Sequence, residues 1–194
     1  MRLLKNNLYE IVRLCINQVG ITIFSLVLYP AIGMIDGDIS LTLKIWISAF
    51  AIIFYFFLIY TVMWENGAKD AIKIETGRME REKGKGLLMG VYANAVNFLL
   101  AFLSVFAIAM YINGGSDFYF DMFGIVNFIM RFFAAMYIGV LQGVFLGFAE
   151  NENLYYLLQS IGFIVLPIFA VLVTHFGYVM GLKNRKIFNL KAKK

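Results

Sequence analysis

The amino-acid sequence predicts an all-α integral membrane protein, a polytopic bundle of four to five membrane-embedded helices with an amphipathic helix at its N-terminus. Three observations lead there. Of the 194 residues, 61% are hydrophobic and only 15% are charged, against roughly 45–50% and about 25% in soluble domains. Uncharged apolar stretches recur along the chain, each near or above the roughly 20 helical residues that a bilayer's hydrocarbon core needs. Lys and Arg gather between and beyond those stretches. A single membrane domain covering residues 1–194 follows, with no internal repeat and no linker visible.

The first dozen residues set Leu4, Leu8, Ile11 or Val12, Cys15 and Val19 at three- and four-residue spacings, while Arg2, Lys5, Asn6 and Arg13 point elsewhere. This amphipathic run is expected to lie on the membrane surface and to continue into the first embedded segment. It is too long for a signal-peptide core and no small-residue cleavage site follows it, so the N-terminus is expected to be retained. Leu14–Ile35 offers 22 residues without a charge, and Ile45–Trp64 offers 20 between Lys44 and Glu65. Embedded segments at about 11–35 and 42–64 follow. Gly86–Ser116 has 31, more than a span needs, so a segment at about 87–112 should end in a loop at Asn113-Gly-Gly-Ser. Asn153–Leu182 has 30 and gives the last segment, about 154–182. Backbone hydrogen bonds must close internally in lipid, so each segment should be helical. Trp46, Tyr60, Trp64, Tyr111, Tyr155 and Tyr156 fall near the expected ends, as an interfacial aromatic belt does.

Residues 65–86 form a charged loop with six basic and five acidic side chains. Thr76-Gly77 there could turn a short hairpin; a helical reading competes, weakened by Gly77. The stretch at about 118–149 is the ambiguous one, because Arg131 divides it into nine and 18 uncharged residues. Positive charge near span ends favours the cytoplasm. The N-terminus and the 65–86 loop therefore lie inside, and the loops with Asp36, Asp38, Asp117 and Asp121 outside, in the cell membrane. The basic tail, residues 183–194, joins them inside only if 118–149 does not cross. In a five-span chain the tail lies outside and the Glu150–Glu152 loop inside, both against the rule. Yet Ala135, Gly139, Gly143 and Gly147 set a small residue at every fourth position, the pattern that lets membrane helices approach closely. Such a helix can cross, or can belong to a re-entrant hairpin shielded by protein. Four spans plus an embedded segment and five spans both stand.

The chemistry-bearing residues are few. The net charge of +5 sits at helix ends, where topology and lipid head groups account for it, so nucleic acid is not an expected partner. Cys15, the sole cysteine, permits no intrachain disulfide and reads as a small buried apolar side chain. No phosphate-cradling Gly-rich loop, zinc-protease motif or nucleophile elbow is present, and one histidine cannot build a metal cluster. No cofactor, metal or catalytic residue is expected, and the chain reads as a non-enzyme. Ionisable and polar groups inside the membrane are the default functional candidates: Arg131, Gln142, Gln159, Asn94, Asn97 and His175. Arg131 could bind an anionic group or anchor at the interface. The amides could line a polar path or tie helices together, and His175 could relay protons or pack. Pro30 and Pro167 could kink their helices.

Two functions compete. One is a subunit that packs with itself or with another membrane protein through the glycine-rich face of Ala135, Gly139, Gly143 and Gly147, with anionic head groups as partners of the basic tail. The other is a small-solute transporter or channel with a polar site near Arg131, Gln142 and Gln159. Arrangement separates them. A transporter should gather those three with one or both of Asn94 and Asn97 around one water-accessible cavity, whereas a packing subunit should scatter them in pairs.

Overall fold

The computed structural model describes residues 7–34 and 38–183. Their helices are α1 (Leu8–Gly33), α2 (Asp38–Glu75), α3 (Lys85–Ala93), α4 (Ala95–Ile112), α5 (Asp117–Phe145) and α6 (Glu152–Leu182), and no strand occurs among the described residues. The protein is the all-α membrane bundle that the composition implies. Five of its helices are long and apolar enough to cross a bilayer. Large apolar side chains such as Ile53, Phe57, Leu99, Phe102, Ile125 and Phe128 are exposed on the outside of the bundle, where lipid would cover them. The start of the amphipathic run (Arg2, Leu4 and Lys5) and the tail beyond Lys183 lie outside the described residues. From Leu8 onward that run is simply the first turns of α1.

The bundle has two chemically distinct ends. At one, Arg13 of α1 pairs with Glu65 of α2 at 2.9 Å, and Gly181 of α6 lies against the backbone of Trp64 and Gly67. This basic end carries the charged residues 65–86. At the other, acidic end, the Ser40 hydroxyl donates to the Ile32 carbonyl at 3.2 Å, and Tyr156 stacks near Phe123 with ring centroids 5.2 Å apart. α1, α2 and α6 each run the length between the ends, and α3 with α4 make the fourth pass.

α5 does not make a fifth. Its first limb descends from the acidic end and stops at Ala134, whose φ of −136° and ψ of 21° break the helix. There the freed Phe133 carbonyl accepts hydrogen bonds from Gln18 Nε2 (3.0 Å) and Thr22 Oγ1 (3.2 Å), halfway along α1. The second limb turns back. The Ser48 hydroxyl donates to the Met136 carbonyl and accepts from the Val140 amide at 3.1 Å. The Gly139 amide donates to the Tyr29 hydroxyl at 3.4 Å. Gly139 sits against the Lys44 backbone, Gly143 against Ile45, and Leu141 and Phe145 against Gly162. All of these neighbours belong to the acidic half, so the chain re-enters α6 at the end from which α5 began. Of the small-residue stripe, Gly139 and Gly143 are taken up by this packing against α2.

Three boundaries differ from the sequence expectation. α2 continues helically to Glu75, so its 38 residues measure roughly 57 Å at 1.5 Å per residue, far beyond the ~30 Å core. No hairpin forms at Thr76-Gly77. Gly77 instead adopts a φ of +69°, and Gly77 N–H to Ile74 O with Arg78 N–H to Lys73 O make a Schellman cap. The third segment is not one helix but two, parted at Asn94.

Two outcomes test this fold. In a Cys15→Ser background, Thr76→Cys and Asn184→Cys should label from one side of the membrane and Asn151→Cys from the other; Asn151 and Thr76 labelling together would mean that α5 crosses. Gly139→Leu drives a side chain into the Lys44 backbone and should cost at least the 1–3 kcal/mol typical of overpacking, seen as a lowered melting temperature in detergent. Gly147→Leu, with nothing within 4 Å of its added Cβ, should leave it unchanged.

Candidate functional site

The break at Ala134 puts the two limbs of α5 face to face. Asn127 and Arg131 on the first limb, Gln142 on the second, and Tyr155, Tyr156 and Gln159 on α6 line one cavity of about 520 Å³ near the acidic end. In a straight helix Arg131 and Gln142 would stand roughly 16 Å apart along the axis; the reversal lets them share a wall. Asn127 and Gln159 are largely buried, 8% and 4% exposed, and both reach the cavity wall.

A second cleft, about 300 Å³, adjoins the first and shares Arg131 and Gln142 with it. Tyr29 and Pro30 of α1, Lys44 of α2 and Gly139 complete its wall. Among the described residues no carboxylate lines either space, and none forms an ion pair with Arg131 or Lys44.

Three of the candidates named from the sequence, Arg131, Gln142 and Gln159, thus meet in one cavity. Asn94 and Asn97 do not join them. The Asn94 amide donates to the Gly90 carbonyl at 3.0 Å and the Asn97 amide to Asn94 Oδ1 at 3.1 Å. These two asparagines serve the break between α3 and α4. His175 lies at the opposite, basic end beside Arg81, Glu82 and Lys83. Of the small-residue stripe, Ala135 is fully buried, and Gly139 and Gly143 meet α2 within the chain. Gly147 meets nothing.

Sequence reasoning passed over Asn127, Lys44 and Tyr29, and it placed Tyr155 in the aromatic belt alone. It also missed the most buried charges among the described residues. At the basic end Asp70 accepts from Lys85 at 2.7 Å, from the Tyr178 hydroxyl at 3.0 Å and from Lys73 at 3.3 Å, with Asp70 and Lys85 only 4% and 6% exposed. Only Lys73 lies close enough to Asp70 in sequence for helical spacing to reveal the contact.

No family model, curated protein or solved structure matches this chain.

The apex of α5 supports the cavity from below, and it is testable. Replacing Gln18 by Leu together with Thr22 by Val leaves the Phe133 carbonyl without either partner. A loss of about 1–3 kcal/mol is expected, read as a drop in thermal or denaturant midpoint, with each single change losing less than the pair because the other donor remains. A double variant as stable as the parent would show that the break needs no such support.

Proposed function

We propose that this chain is a non-enzymatic, multi-pass membrane protein that takes a small polar or charged solute into the cavity between α5 and α6, as a transporter or solute-binding subunit does. One observation carries the reading: Arg131, Gln142 and Gln159, from separate helical limbs, line a single cavity, although Asn94 and Asn97, expected with them, pair apart at the α3–α4 break. Ligand sites combine an apolar wall with a few convergent polar groups, and in membranes non-helical backbone at depth is tolerated where it is shielded by protein or lines a cavity. The break at Ala134 satisfies both conditions. Association through the small-residue stripe is less well supported, because Ala135, Gly139 and Gly143 are already occupied within the chain.

The distribution of charge supports an orientation. With the charged residues 65–86, the start of α1 and Lys183 at one end, the positive-inside preference places that end in the cytoplasm. The cavity then opens outward, away from the cytoplasm.

Water access decides the matter. In a Cys15→Ser background, Gln159→Cys should react with a membrane-impermeant thiosulfonate added to intact cells, at a rate within tenfold of the surface site Asn151→Cys. Ala170→Cys, at a fully buried position, should not react. If Gln159→Cys is as inert as Ala170→Cys, the amides are packing groups and the solute-site reading is wrong.

A further inference from the structure

The seventeen Lys and Arg residues are not spread evenly. Fifteen lie in the N-terminal segment, in residues 65–86 and in the tail from Lys183. The two left over are Lys44 and Arg131. They sit far apart in sequence, on different helices, and they line the same cleft. Both stand in the acidic half of the bundle, where the charge pattern otherwise excludes cations.

Among the described residues, neither forms an ion pair. The three salt bridges among the described residues, Arg13–Glu65, Lys73–Asp70 and Lys85–Asp70, all belong to the basic end. Asp117, Asp121, Glu150 and Glu152 are near α5 and α6 in sequence but are exposed at the rim, and none lines the cleft. Two like charges facing one partly enclosed space repel each other, and the repulsion grows as the local dielectric falls. An anion between them reverses its sign. Arg offers a planar fork of N–H donors suited to an oxyanion, and Lys a mobile point charge. The Gln142 amide and the Tyr29 hydroxyl on the same wall add neutral hydrogen-bonding groups.

We propose that the Lys44–Arg131 cleft binds an oxyanion, the phosphate or carboxylate group of a solute or of a lipid head group. This rests on the reading of the adjoining cavity as a solute site and names the charge of what enters it. Arg131 and Gln142 belong to both spaces, so the anionic group is held by Lys44 and Arg131 while the rest of the molecule extends toward Asn127, Tyr155 and Gln159.

The test uses the purified full chain in uncharged maltoside micelles, with melting temperature as the readout. Inorganic phosphate is titrated in one arm and phosphatidylglycerol in mixed micelles in the other, with sodium chloride at matched ionic strength as control. One arm should raise the midpoint by several degrees, and which arm does so identifies a free anion or a lipid. Lys44→Gln and Arg131→Gln should each raise the half-saturating concentration at least tenfold, and Lys44→Arg should keep the response, which separates charge from misfolding. If neither anion stabilises the parent, or if both Gln variants respond as the parent does, the oxyanion assignment is overturned. Should Gln159→Cys still react from outside in that case, the cavity reading survives and its solute is uncharged.

Discussion

The structure turns on the carbonyl of Phe133. Inside a bilayer each backbone polar group must find a partner in the protein, because no water is present to supply one. Breaking α5 at Ala134 releases groups that a continuous helix would have satisfied. Gln18 and Thr22 take the Phe133 carbonyl, Ser48 bridges the Met136 carbonyl and the Val140 amide, and Tyr29 accepts from Gly139. Every one of these side chains belongs to α1 or α2. The reversal is therefore stable only against those two helices already packed side by side, and whatever the cavity does depends on that pair. The same contacts hold the two limbs so that Arg131 and Gln142 line the same spaces.

The basic end solves a different problem. α2 and α3 project charge beyond the hydrocarbon, where packing has less apolar surface to use. Gly67, Gly177 and Gly181 bring α2 and α6 into backbone contact, and Gly86 and Gly90 do the same for α3 and α6. Asp70, Lys85 and Tyr178 then join these three helices in one buried cluster. Burying an ion pair gains little net stability against desolvation, but leaving one member unpaired is expensive. The cluster thus acts on register. A sliding of α6 past α2 by one turn, about 5.4 Å, would carry the Tyr178 hydroxyl away from Asp70 and leave it only Lys73 and Lys85.

Much of this was legible in the sequence, for physical reasons that differ by residue. Length and apolarity mark membrane helices whatever surrounds them, which is why α1, α2 and α6 stand near the expected positions. The tail charge and the Ala135–Gly147 stripe together raised the possibility of a re-entrant segment, since they conflict only if that segment crosses. The break itself was not readable: Ala134 is a good helix former with neither Gly nor Pro at the site, and tertiary hydrogen bonds from α1 override its propensity. The extension of α2 to Glu75 was obscured by its charges, which mark the end of a span but not the end of a helix. Gln142 and Gln159 could be named as polar groups in apolar surroundings. Lys44 could not, because at the boundary of a span a lysine reads as an ordinary flank.

The acidic rim and the cationic cleft are opposite in sign, and the difference bears on what can enter. Exposed carboxylates act through water, where screening limits their reach to about 8–10 Å at ordinary ionic strength. Lys44 and Arg131 act across a partly enclosed space, where a charge at contact interacts several times more strongly than in bulk water. An extended polyanion meets the rim at many points and is repelled before it can reach the cleft. On the proposed reading, a small anion would pass the rim at the cost of a screened repulsion and then meet two cations at one cleft. Simple snorkelling of Arg131 to the head groups explains one cation reaching a polar layer. It does not explain a second cation arriving at the same cleft from another helix. The proposed oxyanion would account for both.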